Sequence, residues 1–149
     1  MKIREIMTAN VDTIESTTSI RSAARLMAEK DDGVLPVVER DKVVGILTDR
    51  DIAVRGVAAG LSSDSPVSKI MTRNVQTCRS SDEVDEALGM MADGQIRRIP
   101  VCDEQGDLLG IVTLADAAQL DRDRREVAAA LSHICHPSGA HCQSVALYA

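Results

Sequence analysis

Ile6-Met7-Thr8-Ala9-Asn10-Val11-Asp12-Thr13 returns, 64 positions later, as Ile70-Met71-Thr72-Arg73-Asn74-Val75-Gln76-Thr77. The same offset relates Ser16 to Ser80, Ile20 to Val84, Met27 to Met91, and Leu35-Pro36-Val37 to Ile99-Pro100-Val101. It becomes 65 at Gly45-Ile46-Leu47-Thr48 against Gly110-Ile111-Val112-Thr113, and Asp51 falls on Asp116. One added residue near Gly106 accounts for the change. A supersecondary unit present twice in 149 residues implies pseudo-two-fold packing, because each copy has an apolar face to bury. A groove between the copies would be lined twice by equivalent residues.

Composition narrows the function classes. The net charge of −6 and pI near 5.0 argue against nucleic acid as a partner. The chain has no Phe or Trp and one Tyr, so base-stacking platforms are missing and the core must be aliphatic. The longest apolar stretches, such as Val34–Val38 and Val43–Leu47, are strand-sized and far below a membrane span. No apolar signal region follows Met1, so a cytoplasmic location is expected. Four Cys at irregular spacing do not suggest a disulfide framework.

Each copy reads as β-α-β-β-α, giving an α/β (α+β) chain of two pseudo-symmetric repeats packed sheet to sheet. The expected organisation is repeat 1 over 1–60, a linker over 61–66, repeat 2 over 67–120, and a C-terminal helix and tail over 121–149. Short strands are expected at Val11–Ile14 and Val75–Cys78. Amphipathic helices follow, through Ile20, Ala23, Ala24 and Met27 and through Val84, Ala87, Leu88 and Met91. Ser80-x-x-Glu83 has the form of a capping box, and Gly33 and Gly94 stand where helices stop. Two strands then meet at a tight turn, Val34–Glu39 with Lys42–Leu47 and Ile99–Asp103 with Leu108–Val112. Second helices are expected over Asp49–Ala59 and Leu114–Leu120. Short helices are expected at Lys2–Met7 and Val67–Met71, and a further one at Asp123–Ile134.

The chemistry concentrates where a buried strand enters a helix, at Gly45-Ile46-Leu47-Thr48-Asp49-Arg50-Asp51 and Gly110-Ile111-Val112-Thr113-Leu114-Ala115-Asp116. Thr at the N-cap with Asp three residues on is a plain capping motif. The same geometry offers free amides and a hydroxyl to phosphate, and a carboxylate to the two hydroxyls of a ribose. The glycine before each corner is expected to leave room for a ligand. Arg97-Arg98 before Ile99-Pro100-Val101 is either a solvated pair or a phosphate fork. Copy one has Gly33-Val34 there.

The doubled Gly-h-h-Thr-x-x-Asp (h, apolar), the doubled h-Pro-Val and the doubled Ile-Met-Thr opening together resemble the CBS domain, of which two in tandem form a Bateman module. The resemblance covers about residues 1–120. It implies an adenosine-containing ligand, such as AMP, ADP, ATP, NAD or S-adenosylmethionine, in the clefts between the copies. It implies that Asp51 and Asp116 hold ribose, that Thr48 and Thr113 lie near phosphate, and that Val11, Thr13, Val75 and Thr77 flank adenine. Arg97 and Arg98, with Arg50 adding charge, would make the Asp51 site the better anion site. The resemblance also points to a homodimer, as do apolar residues on the second helices, with an effector protein reading the ligand's effect.

His133, Cys135, His136, His141 and Cys142 lie within ten residues. Cys135, His136, His141 and Cys142 form a candidate zinc set, though not at a finger spacing. The rival function is therefore a scaffold, or a metal- or redox-responsive protein sensing through this tail. Catalysis is not expected: neither repeat contains a His, and nothing in the tail suggests an oxyanion hole.

Overall fold

The computed structural model describes residues 1–120 and 124–136. In chain order the elements are β1 (Thr8–Ala9), α1 (Ile20–Lys30), β2 (Val34–Glu39), β3 (Lys42–Thr48), α2 (Asp49–Asp51), β4 (Cys78–Arg79), α3 (Val84–Gly94), β5 (Arg98–Cys102), β6 (Leu108–Thr113), α4 (Leu114–Ala118) and α5 (Arg124–Ile134). Single 3₁₀ turns occupy Ile3–Glu5 and Val67–Lys69, where longer helices are expected from the sequence. Directly after α2, Ile52–Val57 forms a π-helical turn.

Two compact units result, and each has its own aliphatic core. The first is Asp12–Val75. Ser19 caps α1 by accepting the Ser22 N–H at 3.1 Å, and Ile20, Ala23 and Met27 form its buried stripe. The helix stops at Asp31, whose φ of 51° is left-handed, so Asp31 takes the place expected of Gly33. An Asp tolerates this region because its short polar side chain can bond locally. β2 and β3 pair antiparallel around Arg40 and Asp41, both at positive φ, as a two-residue hairpin requires. Ile20, Met27, Leu35, Val37, Leu47, Val67 and Ile70 meet in the core.

The second unit joins Met1–Val11 to the described residues from Gln76 onward. Its sheet runs β1-β6-β5-β4, with β4 parallel to β5 and the other pairs antiparallel. Glu83 is the N-cap of α3, and its N–H donates to Glu86 at 3.3 Å, so the cap lies three residues beyond Ser80. Gln95, at φ 50°, ends it in place of Gly94. Ile3, Val84, Leu88, Met91, Ile99 and Val112 fill this core, and α5 adds Ala130 and Ile134.

The strands expected over Val11–Ile14 and Val75–Cys78 shrink to one bridge, Ile14 with Val37, and to β4. What completes each sheet edge is the opening segment of the other repeat. Thr8 pairs with Ile111 in one unit, and Thr72 pairs with Ile46 in the other. The Ile46–Thr72 pair exchanges both backbone hydrogen bonds at 2.9 Å. Gly45 and Gly110 make this approach possible. A Cβ on Gly45 would come within 2.7 Å of Met71 Sδ and 3.0 Å of the Thr72 carbonyl, and one on Gly110 would strike the Thr8 carbonyl. The room these glycines leave is taken by the opening segments, by the Met71 side chain and the Thr72 carbonyl at Gly45 and by the Thr8 and Ala9 backbone at Gly110, where a ligand is expected from the sequence.

Candidate functional site

β3 ends at Thr48, whose extended φ/ψ of −118°/161° turns the chain into α2. Thr48 Oγ1 accepts the Asp51 N–H at 3.1 Å, while Asp51 Oδ2 accepts from the Thr48 N–H and hydroxyl, both at 2.9 Å. This reciprocal box satisfies the helix start and fully occupies Oδ2. Asp51 is the one buried charged or polar residue among those described, 1% exposed. Its Oδ1 is the single buried side-chain oxygen or nitrogen among them without a hydrogen bond. Arg55 Nε, one turn along, forms an ion pair with it at 3.7 Å. Burial pushes the Asp51 carboxyl above its usual range, against the Thr48 hydrogen bonds and the Arg55 and Arg50 charges, which pull it down.

The second unit repeats the corner. Thr113, at φ/ψ −121°/159°, donates its N–H and hydroxyl to Asp116 Oδ2 at 2.8 Å each and accepts the Asp116 N–H at 3.1 Å. Asp116 is more exposed than Asp51, however. Position 120, equivalent to 55, is Leu, and it packs against the apolar core. The two corners therefore share a cap and differ in the carboxylate's surroundings.

The other sequence candidates fall as follows. Arg50 is exposed. Arg97 is exposed and Arg98 half-buried; both stand beside the second corner, Arg98 opposite Thr113 in the sheet, and the Arg97 carbonyl accepts the Leu114 N–H at 2.8 Å. In the first unit the Gly33 carbonyl accepts the matching bond from the Asp49 N–H at 3.0 Å. Val11 and Val75 are half-buried, and Thr13 and Thr77 are exposed. Of the candidate zinc set, Cys135 and His136 are exposed, while His141 and Cys142 lie outside the described residues. Among the described residues no three His, Cys, Asp or Glu side chains gather as a metal site would. Cys78 and Cys102 are buried, and burial drives the Cys78 thiol up to about 12. Among the described residues no helix is long and apolar enough to cross a membrane.

Arg55 escapes a reading of motifs. Its signal is present nonetheless: it lies four residues after Asp51 on the same helical face, with Leu at the equivalent position of the other repeat.

The family model of the CBS domain matches residues 3–56 and again 67–123. The chain is 37% identical over 134 residues to the CBS domain-containing protein YhcV of Bacillus subtilis, spanning 90% of this chain and 95% of that one. Among solved structures it is similar to the CBS domain protein PAE2072 of Pyrobaculum aerophilum complexed with AMP (TM-score 0.77, 25% identity, 86% of this chain and 98% of that one). It is similar to the CBS domain pair of protein MJ0100 in complex with 5′-methylthioadenosine and S-adenosyl-L-methionine (TM-score 0.73, 31%, 83% and 98%). It is also similar to Hypoxic Response Protein I with two coordinated zinc ions (TM-score 0.74, 36%, 80% and 98%). With both repeats matched in order and the strand-to-helix corner built twice, the chain belongs to the CBS domain family and is a tandem CBS pair.

Proposed function

We propose that this protein is a regulatory module that binds an adenosine-containing ligand through the Asp51 corner. The observation that carries this is the orphan Asp51 Oδ1, buried without a hydrogen bond. A buried, unsatisfied carboxylate oxygen is costly. A ribose diol supplies the donors it lacks, and hydrogen bonds to a charged acceptor are the strong kind. Relatives with AMP and with S-adenosyl-L-methionine support the ligand class, since both contain adenosine. Asp116 offers a second, more exposed acceptor of the same kind. Arg97 and Arg98, beside the Asp116 corner, are the guanidinium groups proposed for a phosphate, and Val11, Thr13, Val75 and Thr77 are the residues proposed to flank a base. The module acts by binding, not by catalysis, and an effector protein reads the bound state.

Isothermal titration of the protein with adenosine and AMP tests the reading. Binding by wild type, weakened about tenfold or more in Asp51→Asn, supports it. Failure of every adenosine compound to bind wild type refutes it.

A second copy of the chain is the proposed partner at another face. An apolar groove of about 390 Å³ lies in the Asp12–Val75 unit, lined by Ile20, Ala24, Ile52, Val57 and Leu61 with Arg25 at its side. In the other unit the equivalent helix, α3, is covered by α5 through Ala130 and Ile134. In this unit Val57 is left 73% exposed. A monomeric mass in light scattering at micromolar concentration would count against the dimer.

A second reading, in which Cys135, His136, His141 and Cys142 bind zinc, draws on their residue types and on a relative with two coordinated zinc ions. Zinc that raises the melting temperature of wild type, but not of a Cys135→Ser, Cys142→Ser variant, would support it.

A further inference from the structure

Among the described residues, Asp51, Ile70 and Thr72 of one unit meet the Arg55 guanidinium. Nε lies 3.7 Å from the orphan Asp51 Oδ1, and Nη1 donates to the Ile70 carbonyl and to Thr72 Oγ1, both at 3.2 Å. The side chain is only 10% exposed, so these contacts are largely shielded from water and salt. Arg55 belongs to the π turn Ile52–Val57, a rare geometry that often marks functional sites. Ile70–Thr72 is the segment that completes the sheet edge beside β3. It is fixed on one side by the Thr72–Ile46 hydrogen bonds and by burial of Ile70 and Met71. On the other side Arg55 fixes it.

The matching residues of the other unit are Asp116, Leu120, Ile6 and Thr8. There the opening segment pairs with β6 in the same register, and Asp116 makes the same cap. Leu120, having no donor, cannot join them. The link belongs to one corner only, although the fold provides both with the same frame.

We infer that Arg55 is a positioning residue that couples occupancy of the Asp51 corner to the order of the Ile70–Thr72 segment. This rests on the ribose-binding reading above. Ligand hydroxyls donating into Oδ1 fix the carboxylate, and the fixed carboxylate restrains the guanidinium beside it. The planar fork carries that restraint to the Ile70 carbonyl and the Thr72 hydroxyl. Ordering contributed by the ligand at one end is then not required again at the other, which is positive coupling without a large change of shape. Coupling is reciprocal, so loosening Ile70–Thr72 must weaken the ligand.

The experiment is amide hydrogen exchange of the full chain with and without saturating adenosine, with titration of adenosine alongside. In wild type, the ligand should slow exchange at Met71 and Thr72 about fivefold or more. Arg55→Lys keeps a charge beside Asp51 but loses the fork, so adenosine should still bind while the slowing at Met71 and Thr72 disappears. Thr72→Val removes one anchor of the strut and leaves Arg55 and Asp51 in place. It should weaken adenosine severalfold, although Thr72 is no part of the proposed ribose contact. Should Arg55→Lys fail to fold, Thr72→Val alone decides. Slowing in Arg55→Lys equal to wild type, wild-type binding with no change at 70–72, or unchanged affinity in Thr72→Val each overturns the coupling while leaving the ribose site standing. No adenosine binding to wild type refutes the ribose site and the coupling with it.

Discussion

Thr48 and Asp51 exchange three hydrogen bonds, and the two that the carboxylate accepts both use the same oxygen, Oδ2. The helix cap and the candidate ligand contact are thereby divided between the two oxygens of one side chain. The cap is complete without Oδ1, so stability and binding are separable by substitution.

Asp51→Asn should keep the cap and lose the binding. An amide oxygen in the Oδ2 position still accepts from Thr48, while the charge is gone. The Asp51 carboxyl is raised in the folded state, so its contribution to stability is present below its unfolded value of 3.8 and lost as pH rises through the folded value. At neutral pH the ionised side chain works against folding. The variant should therefore melt at or above the wild-type temperature at pH 7, with the gap closing in acid. Calorimetry across pH checks this; a clear loss of stability at pH 7 would contradict it.

Thr48→Ala and Thr113→Ala each remove an N-cap acceptor, and each should cost about 1 kcal/mol in urea unfolding. Only Thr48→Ala should also weaken adenosine markedly, because it frees the buried carboxylate to rotate away from its position. Equal effects of the two substitutions on binding would assign the corners equal weight.

Gly45→Ala should destabilise by about 1–3 kcal/mol, since the new methyl meets Met71 Sδ and the Thr72 carbonyl. Gly110→Ala should be worse, because the nearest atoms it meets are backbone of Thr8 and Ala9. Gly89 supplies the control. It lies inside α3 with nothing within 4 Å of where a methyl would stand, and Gly89→Ala should stabilise by roughly 0.5–1 kcal/mol through helix propensity. Denaturant midpoints order the three.

Glu83 accepts the Lys2 ammonium and the N-terminal amine, each at 2.7 Å, and these hold its carboxyl down at about 2. A lowered folded value means the stabilisation is present above the unfolded value of 4.5 and lost as pH falls toward 2. Glu83→Gln should flatten that part of the acid-unfolding profile. The side chain is 45% exposed, so added salt should flatten the wild-type profile too.

Much of this was legible in the residues. Offsets of 64 and 65 carry the repeat, and the Thr-x-x-Asp spacing carries both corners, because capping is a local matter of three residues. The helix ends misled, since Asp31 and Gln95 take left-handed conformations more often given to glycine, with Gly33 and Gly94 close by. The π turn was hidden because Ile52–Val57 has the apolar spacing of an ordinary helix. The exchange of opening segments was hidden for a deeper reason. Ile6-Met7-Thr8 and Ile70-Met71-Thr72 are identical, so periodicity cannot say which edge each one joins. Arg55 stands in no motif and gains meaning only from Ile70 and Thr72, fifteen and seventeen residues further on.

That exchange also orders events during synthesis. When residues 1–60 have left the ribosome, β3 still lacks the Thr72 that completes its edge, while Thr8 and Ala9 have no strand to join until β6 follows about a hundred residues later. Neither half can finish alone, and loops this long close slowly. A single copy of the repeat would need the opening segment of a second molecule at whatever concentration the cell supplied. Joining two copies in one chain replaces that encounter with an intramolecular one, at an effective concentration set by the chain between each opening segment and the strand it joins. The duplication in this sense lets one molecule complete both of its own sheet edges.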